Sequence, residues 1–292
     1  MDQALTGLKT YELIDSGDFN KLEQVGPYRI SRPSPQAVWR PTLPPDEWKK
    51  VDAFFTRFSG GEGKWSIVNK RMEKSWNINV SGIIFRMELT DFGHLGIFAE
   101  QAANWLQLQE IIAKARTSRS TMSVLNLFAY TGGSTIAAAL AGAQCVHVDA
   151  SKTSVAWARE NASLNGPGEL PIRWILDDVQ KFVAREVRRG SRYQGIILDP
   201  PSFGRGTKGE SWKIEEHLNG LLDQLKEILA PDFAFILLSA HSHGYTPEGM
   251  KNLLLPIVGH ARGRFSAGEM LIPELGNQRH LPSGTYCLFT RE

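Results

Sequence analysis

The stretch Ser123-Val124-Leu125-Asn126-Leu127-Phe128-Ala129-Tyr130-Thr131-Gly132-Gly133 decides the fold of this 292-residue chain. Its first half is a short apolar run that predicts a buried strand, and its second half predicts a turn into a helix over 134–141. Glycine permits positive φ angles and a close approach of the backbone to a ligand. Adjacent glycines without the G-x-G-x-x-G spacing also suit a plain strand–helix turn, so the stretch alone leaves both interpretations open.

Strands and helices alternate along the chain after this stretch. Such alternation is typical of βαβ units, which assemble a parallel sheet with helices on both faces. The last two strand-like segments, 269–275 and 286–290, have only a loop between them and predict an antiparallel terminal hairpin. Further strands are predicted over 145–148, 172–176, 195–198 and 233–238, and helices over 100–116, 151–165, 179–189 and 214–229. The sequence therefore predicts an α/β fold with a mostly parallel sheet.

Residues 1–95 have a different pattern, with short strand-like segments between turns. Segments 76–80 and 83–89 alternate or run apolar, as β-strands do. The sequence Pro44-Pro45-Asp46 indicates the start of a helix over 46–58. We therefore predict a small β-rich amino-terminal domain over 1–95 and a second domain over 96–292.

The composition excludes several classes of protein. The 33 basic and 31 acidic residues give a net charge of +2, so any binding of a polyanion must depend on local patches. Two cysteines exclude a disulfide scaffold and a multi-cysteine metal site, and we predict no metal. No signal peptide and no apolar run of about 20 residues is recognisable. We expect a cytoplasmic protein that does not contact a membrane.

Carboxylates follow the predicted strands at the edge where a parallel sheet binds ligands. Asp149 ends the second strand, and Asp177 and Asp178 end the third. A carboxylate after the second strand of a nucleotide-binding sheet accepts hydrogen bonds from ribose hydroxyls. An isolated acid at a helix start is also a common N-cap, which remains the alternative for each aspartate.

The sequence Asp199-Pro200-Pro201-Ser202-Phe203 is the most specific signal in the chain. An acid and two prolines at the end of a strand make a rigid loop. Proline carbonyls and the carboxylate form a cluster of hydrogen-bond acceptors that suits the amino group of a flat, unstacked base, and Phe203 offers a stacking face.

These motifs together resemble the class I S-adenosylmethionine-dependent methyltransferases, and most of all the large-subunit ribosomal-RNA methyltransferases that act on cytosine C5 or guanine N7. The resemblance covers roughly residues 95–290 and implies a Rossmann-like sheet. It implies that the 126–133 turn holds the methionine part of S-adenosylmethionine (SAM), Asp149 the ribose and Asp178 the adenine amine. The implied SAM-binding residues are Gln101, Asn126, Phe128, Ala129, Tyr130, Thr131, Gly132, Gly133, Asp149, Ser151, Asp177, Asp178 and Asp199, and the implied catalytic residues are Asp199, Pro200 and Phe203.

One departure from this family bears on the reaction. The cytosine-C5 members carry a cysteine nucleophile after strand five, where this chain has Ala240. Methylation at C5 needs a covalent adduct, which alanine cannot form. We expect Cys145 and Cys287 to lie in the core. The sequence therefore favours a nitrogen or oxygen acceptor, and the preferred acceptor is a base nitrogen in ribosomal RNA.

The RNA partner and its binding surface are less well defined by the sequence. Residues 70–74, with Trp65 and Trp76 nearby, mix cations with aromatic rings and are the best candidate for RNA contact, although a solvated turn is an equal alternative. Residues 204–209 are a candidate mobile lid or a plain loop, and His241 and His243 have no assigned role. Methylation of a protein or small molecule, and a SAM-binding module without activity, remain alternatives. Nothing in the sequence indicates an oligomeric state.

Overall fold

The computed structural model describes residues 3–4, 10–58, 62–117, 121–166, 168–206, 209–242 and 244–292. The strands are β1 (Gln3–Ala4), β2 (Tyr11–Gly17), β3 (Asn20–Val25), β4 (Tyr28–Pro33), β5 (Ala53–Arg57), β6 (Gly63–Ile67), β7 (Ser75–Val80), β8 (Ile83–Glu88), β9 (Ser123–Leu127), β10 (Gln144–Asp149), β11 (Ile172–Leu176), β12 (Gly195–Leu198), β13 (Phe203–Arg205), β14 (Ser211–Lys213), β15 (Phe235–Ala240), β16 (Gly263–Pro273) and β17 (His280–Arg291). The helices are α1 (Pro45–Trp48), α2 (Ala102–Arg116), α3 (Gly133–Leu140), α4 (Lys152–Ser163), α5 (Val179–Arg189), α6 (Ile214–Ile228) and α7 (Pro247–Val258), with a 3-10 turn over Ala99–Gln101.

The chain divides into two compact units. The large unit comprises Met1–Gln3, Asn104–Glu269 and Gly284–Glu292, and the small unit comprises Ala4–Ala103 and Met270–Ser283. The boundary after residue 95, which the change in sequence pattern predicts, and a role of residues 1–95 in recognising the acceptor both stay predictions. None of the helices in the described ranges is long and apolar enough to cross a membrane.

The main sheet has eight strands in the order β1-β16-β17-β15-β12-β9-β10-β11. Strands β11, β10, β9, β12 and β15 are parallel neighbours, and β17 runs antiparallel beside β15. The predicted mixed sheet with an antiparallel carboxy-terminal strand is thereby confirmed. The strand order reverses between β9 and β12, and ligands bind in open α/β sheets outside the carboxyl ends of the strands at such a point. The loops after β9 and β12 therefore border the candidate site.

The central strands are apolar because both of their faces are covered. Every residue of β12 and of β15 is buried. The surrounding helices contribute a large apolar core, in which Phe182 of α5 and Leu225 of α6 are almost fully buried. This rigid sheet holds the carboxyl-end loops in fixed positions.

The small unit contains a five-stranded sheet in the order β2-β3-β4-β5-β6 and the two-stranded sheet β7-β8. The predicted helix over 46–58 is wrong beyond Trp48, because β5 begins at Ala53. The side chains of Ala53 and Phe55 are buried whereas that of Phe54 is exposed, and this period of two belongs to a strand.

The carboxy-terminal segment Met270–Ser283 is held in the small unit by buried ionic contacts. The Arg279 guanidinium donates to Asp15 Oδ1 at 2.7 Å and to Glu274 Oε2 at 2.8 Å, and both carboxylates are buried. Charged groups removed from water are stable only when they are paired in this way. Pairing between residues so distant in sequence leaves no local signal.

Candidate functional site

The loop between β9 and α3 has an unusual backbone. Phe128, Tyr130 and Gly132 have φ angles of 56°, 48° and 91°. Positive φ is unfavourable for a bulky side chain, and such strained residues cluster at ligand-binding sites. The predicted turn over 126–133 is thus a loop whose alternate residues are left-handed, at the sheet edge where a ligand is expected.

Asp149 holds this loop in place. Its Oδ2 accepts a hydrogen bond from the backbone nitrogen of Tyr130 at 2.8 Å, and its Oδ1 accepts one from the backbone nitrogen of Ser151, also at 2.8 Å. Burial raises the pKa of the Asp149 carboxyl. An ionised carboxylate has about four acceptor positions, so acceptor capacity remains for the hydroxyl of a ligand. Asp149 therefore fits the ribose role that the resemblance implies.

Packing explains the two adjacent glycines. A methyl group added at Gly133 would lie 2.5 Å from Cζ2 of Trp105, and one added at Gly132 would lie 3.1 Å from Cβ of Ala158. Gly132 also needs its left-handed φ angle. The glycine pair thus permits close packing of α2 and α4 against the start of α3, besides any approach of a ligand.

Asn126 does not direct its side chain into the loop. The side chain is buried, and its amide donates to Thr135 Oγ1 at 2.8 Å. The same hydroxyl lies 3.0 Å from His147 Nδ1, whose imidazole is fully buried. Burial lowers the pKa of His147 to about 3, so the ring is neutral at pH 7. Asn126 therefore belongs to a buried polar cluster inside the large unit.

The remaining loop residues are fixed through their backbones. The Ala129 nitrogen donates to the Val148 carbonyl at 3.1 Å, and the Thr131 carbonyl accepts from the side-chain amide of Asn161 at 2.9 Å. Asn161 lies on α4 and is fully buried. A buried asparagine on a predicted amphipathic helix was a sequence signal for this contact.

Asp177 and Asp178 lie at the end of β11, one strand beyond Asp149. Asp178 is the N-cap of α5, and its Oδ1 accepts from the Lys181 nitrogen at 3.0 Å. Asp177 forms an ion pair with Arg185 and accepts from the Asp178 nitrogen at 2.8 Å. The structure thus gives both aspartates a structural role, and a role in binding adenine stays a prediction.

Ser151 has a comparable structural role. It is the N-cap of α4, where its hydroxyl accepts a hydrogen bond from the Ser154 nitrogen at 3.2 Å. Gln101 is buried and belongs to the small unit. A contact of either side chain with SAM stays a prediction.

The Asp199-Pro200-Pro201 loop follows β12 and meets the loop after β15. His241 Nε2 lies 3.5 Å from Asp199 Oδ1, and the hydroxyls of Ser202 and Ser242 are hydrogen-bonded at 2.6 Å. The two loops are neighbours because β12 and β15 are adjacent parallel strands. A carboxylate beside an imidazole can orient an N–H group and hold its proton.

Trp212 is a site residue that the sequence did not identify. Its indole nitrogen donates to the Pro201 carbonyl at 2.8 Å, and its ring centroid lies 4.7 Å from that of Phe128. Trp212 therefore joins the loop after β9 to the loop after β12. It also occupies one of the two proline carbonyls that we expected to face a ligand, which leaves the Pro200 carbonyl for that role. An isolated apolar residue in the polar stretch 209–213 was the available signal.

The segment 204–209, which the sequence predicts as a lid or loop, begins within the short strand β13 and ends before the short strand β14. Strands β13 and β14 pair in antiparallel register, with Gly204 opposite Trp212. Phe203 lies at the start of this hairpin with an exposed ring, which keeps its predicted stacking role open. Residues 207–208 and His243 lie outside the described part of the chain.

Both thiols are unsuited to covalent catalysis. Cys145 and Cys287 are buried, and burial raises the pKa of each to about 12. The thiolate is the nucleophilic form of cysteine, so neither residue can attack a base at neutral pH. Ala240 is buried at the end of β15, beside Thr285. The expectation that both cysteines belong to the core is confirmed.

The predicted RNA-contact patch over residues 70–74, with Trp65 and Trp76 nearby, has one buried and one partly buried ring. Trp76 is buried and donates to the Val25 carbonyl at 3.0 Å. Trp65 donates to the Thr90 carbonyl at 2.7 Å and packs against Phe55. The Trp76 ring therefore belongs to the core of the small unit, the Trp65 ring is partly buried, and contact of residues 70–74 with RNA stays a prediction.

The chain is similar to known proteins over more than half of its length. A family model described as S-adenosylmethionine-dependent methyltransferase matches residues 61–246. The crystal structure of a SAM-dependent methyltransferase from Agrobacterium tumefaciens is 39% identical, with a TM-score of 0.93, and the match covers 100% of this chain and 94% of that chain.

Curated relatives match over a shorter region. The ribosomal RNA large subunit methyltransferase K/L of Colwellia psychrerythraea is 31% identical over 165 residues, which cover 54% of this chain and 22% of the relative. The protein of the same name from Shewanella baltica is 32% identical over 153 residues, which cover 51% of this chain and 20% of the relative. The matched region thus spans about a fifth of the length of these relatives.

Proposed function

This chain belongs to the S-adenosylmethionine-dependent methyltransferases, and from that premise we propose that it methylates a nitrogen of a base in ribosomal RNA. The observation that carries the choice of nitrogen is the state of the two thiols, both buried with a pKa of about 12. Carbon methylation at cytosine C5 needs a nucleophile to form a covalent adduct. A base nitrogen already has a lone pair and needs none.

We infer the following roles for residues of the large unit. SAM supplies an activated methyl group on a positively charged sulfur. Asp149 binds the ribose hydroxyls, while Asp178 and the loop over 128–133 bind the rest of the cofactor. Asp199 accepts a hydrogen bond from an N–H of the base, and the Pro200 carbonyl accepts a second hydrogen bond from the base. Alignment of donor and acceptor is the main contribution of the protein, and such orientation supplies up to ~7–11 kcal/mol.

Two considerations support RNA as the acceptor. The curated relatives named above are ribosomal RNA methyltransferases by name, and the exposed ring of Phe203, in the sequence Asp199-Pro200-Pro201-Ser202-Phe203, suits a flat base. A ribosomal RNA acceptor places the reaction in the cytoplasm. The protein's own acceptor is a proposal because the match covers only part of those relatives.

An acceptor assay tests the proposal. The purified protein is incubated with methyl-labelled SAM and, separately, with ribosomal RNA, total protein or a small-metabolite fraction. We expect label in RNA alone and its loss in the Asp199→Ala variant. Label in protein or metabolites would refute the RNA acceptor, and no label in any fraction would favour a binding module without activity.

Measuring the affinity for S-adenosylhomocysteine distinguishes a variant that no longer binds the cofactor from a variant that binds it but no longer transfers the methyl group. We expect Asp149→Ala to weaken this binding by at least about tenfold, since it removes charge-assisted hydrogen bonds worth ~1.5–3 kcal/mol each. Asp199→Asn keeps the size of the side chain and is the matched control for chemistry. Unchanged binding by Asp149→Ala would contradict the assigned ribose role.

A further inference from the structure

A groove of about 710 Å³ lies on the small unit, far in sequence from the residues assigned above. Its lining includes Phe19, Trp48, Lys49, Phe54 and Arg57. The flanking residues of β5, Ala53 and Phe55, turn their side chains to the buried face of the five-stranded sheet. Phe54 therefore presents its ring on the opposite, open face, where it is 38% exposed.

Phe19 is exposed in a strained conformation. Asp18 and Phe19 form the two-residue loop between β2 and β3, with φ angles of 47° and 62°. Hairpin loops with positive φ at both positions strongly favour Asn-Gly, and a phenylalanine is poorly suited to either position. The ring is nevertheless 60% exposed, so it gains little from burial.

The surrounding backbone fixes this conformation. The Phe19 nitrogen donates to the Ala37 carbonyl at 2.8 Å, and the Phe19 carbonyl accepts from the Ser34 nitrogen at 2.7 Å. The loop cannot relax without breaking these hydrogen bonds. A strained residue that the surrounding structure holds in place is a marker of function.

The charge of the groove favours an anionic ligand. Among the described residues that line it, the ionisable side chains are those of Lys49 and Arg57, and none is acidic. The Lys49 ammonium is 2.8 Å from Asp46, but the two side chains are 74% and 85% exposed. Such an exposed pair is weak and is screened by salt, so it does not prevent Lys49 from binding a phosphate.

We propose that this groove binds a single-stranded segment of RNA, with bases stacked on Phe19 and Phe54 and phosphates near Lys49 and Arg57. Aromatic rings beside cations on an open sheet face recognise unpaired bases, whose faces a duplex does not expose. The inference rests on the proposed RNA acceptor, and it assigns an RNA-binding role to residues of the small unit.

Fluorescence anisotropy with a short fluorescein-labelled single-stranded RNA tests this inference on the 292-residue protein, without SAM. Phe19→Gly and Phe54→Ala should each raise the Kd at least about fivefold, because each removes a stacking ring. Lys49→Glu should also weaken binding and reduce its salt dependence. Phe92→Ala removes an exposed ring that does not line the groove and should change the Kd less than twofold, to within ~0.4 kcal/mol.

The melting temperature makes Phe19→Gly diagnostic. Glycine relieves the strain at a positive φ angle, so this variant should melt about 2–4 °C higher while it binds RNA more weakly. A purely structural Phe19 would give a lower melting temperature. Unchanged RNA affinity in Phe19→Gly and Phe54→Ala, no binding by the unmodified protein, or equal affinity for a duplex of the same sequence would each overturn the inference.

The RNA-binding assay and the acceptor assay test the groove and the proposed acceptor separately. RNA methylation with unchanged affinity in the groove variants would refute the groove and leave the proposed function intact. Groove-dependent RNA binding without RNA methylation would retain the groove and refute the proposed acceptor.

Discussion

The indole nitrogen of Trp212 donates a hydrogen bond to the carbonyl oxygen of Pro201 at 2.8 Å. This contact fixes the loop that carries Asp199, and the same indole packs on Phe128 of the loop after β9. The two loops come from adjacent parallel strands on either side of the point where the strand order reverses. Trp212 thus sets the distance between the inferred cofactor-binding loop and the inferred acceptor loop.

The first prediction concerns this hydrogen bond. Trp212→Phe removes the donor and should lower kcat for methyl transfer about tenfold or more, because small misplacements of reacting groups are costly. Trp65→Phe is the matched control, since Trp65 donates an equivalent hydrogen bond to the Thr90 carbonyl inside the small unit. Each variant should lose ~0.5–1.5 kcal/mol of unfolding free energy. Equal kcat values for the two variants would contradict the role of Trp212.

The second prediction concerns the glycine pair. Gly133→Ala places a methyl group 2.5 Å from Trp105 and should lower the free energy of unfolding by ~1–3 kcal/mol. Gly220→Ala is the control, because Gly220 lies within α6 and, apart from its chain neighbours and the adjoining backbone of that helix, no heavy atom of the described residues lies within 4 Å of the added methyl group. That substitution should raise stability by ~0.5–1 kcal/mol. Urea unfolding measures both changes, and a stabilised Gly133→Ala protein would refute the packing argument.

The third prediction concerns pH and the buried His147. Its pKa is lowered by burial to about 3 in the folded protein, whereas an exposed histidine titrates near ~6.5. Between these values the unfolded chain binds a proton that the folded protein does not. The stabilising contribution of the neutral ring is therefore complete above pH ~6.5 and is lost as the pH falls towards 3.

Urea unfolding at a series of pH values compares the protein with His147→Asn. The difference in slope between the two should approach ~1.4 kcal/mol per pH unit within this window. Asparagine retains a polar group that can form a hydrogen bond with Thr135 Oγ1, which lies 3.0 Å from His147 Nδ1. Identical pH dependence of the two proteins would show that His147 takes up its proton in the folded state.

The sheet and its ligand-binding edge could be predicted because their signals are local. The apolar run over 123–127 and the glycines after it define a strand and a turn, and Asp149 and Asp199 follow later strands directly. Parallel pairing then brings the ends of those strands to one edge. The chain sequence alone therefore located the loops of the candidate site.

Contacts between distant residues could not be predicted. Trp212 reaches Pro201 only because β13 and β14 form a hairpin, and the helix expected over 46–58 gives way to β5 when that strand pairs with β4. The rings of Trp65 and Trp76 are similar in sequence context to an RNA-binding patch, but tertiary packing buries the Trp76 ring in the small unit and covers part of the Trp65 ring. Each of these errors comes from tertiary contacts that override local pattern.

The identity of the methylated atom tests the central claim most directly. Ribosomal RNA is methylated with label from SAM, digested to nucleosides and separated by chromatography with mass spectrometry. We predict an N-methylated nucleoside, formed equally by a variant with both Cys145→Ala and Cys287→Ala and absent with Asp199→Ala. Label recovered as 5-methylcytosine, or product that disappears with the cysteines, would contradict the account.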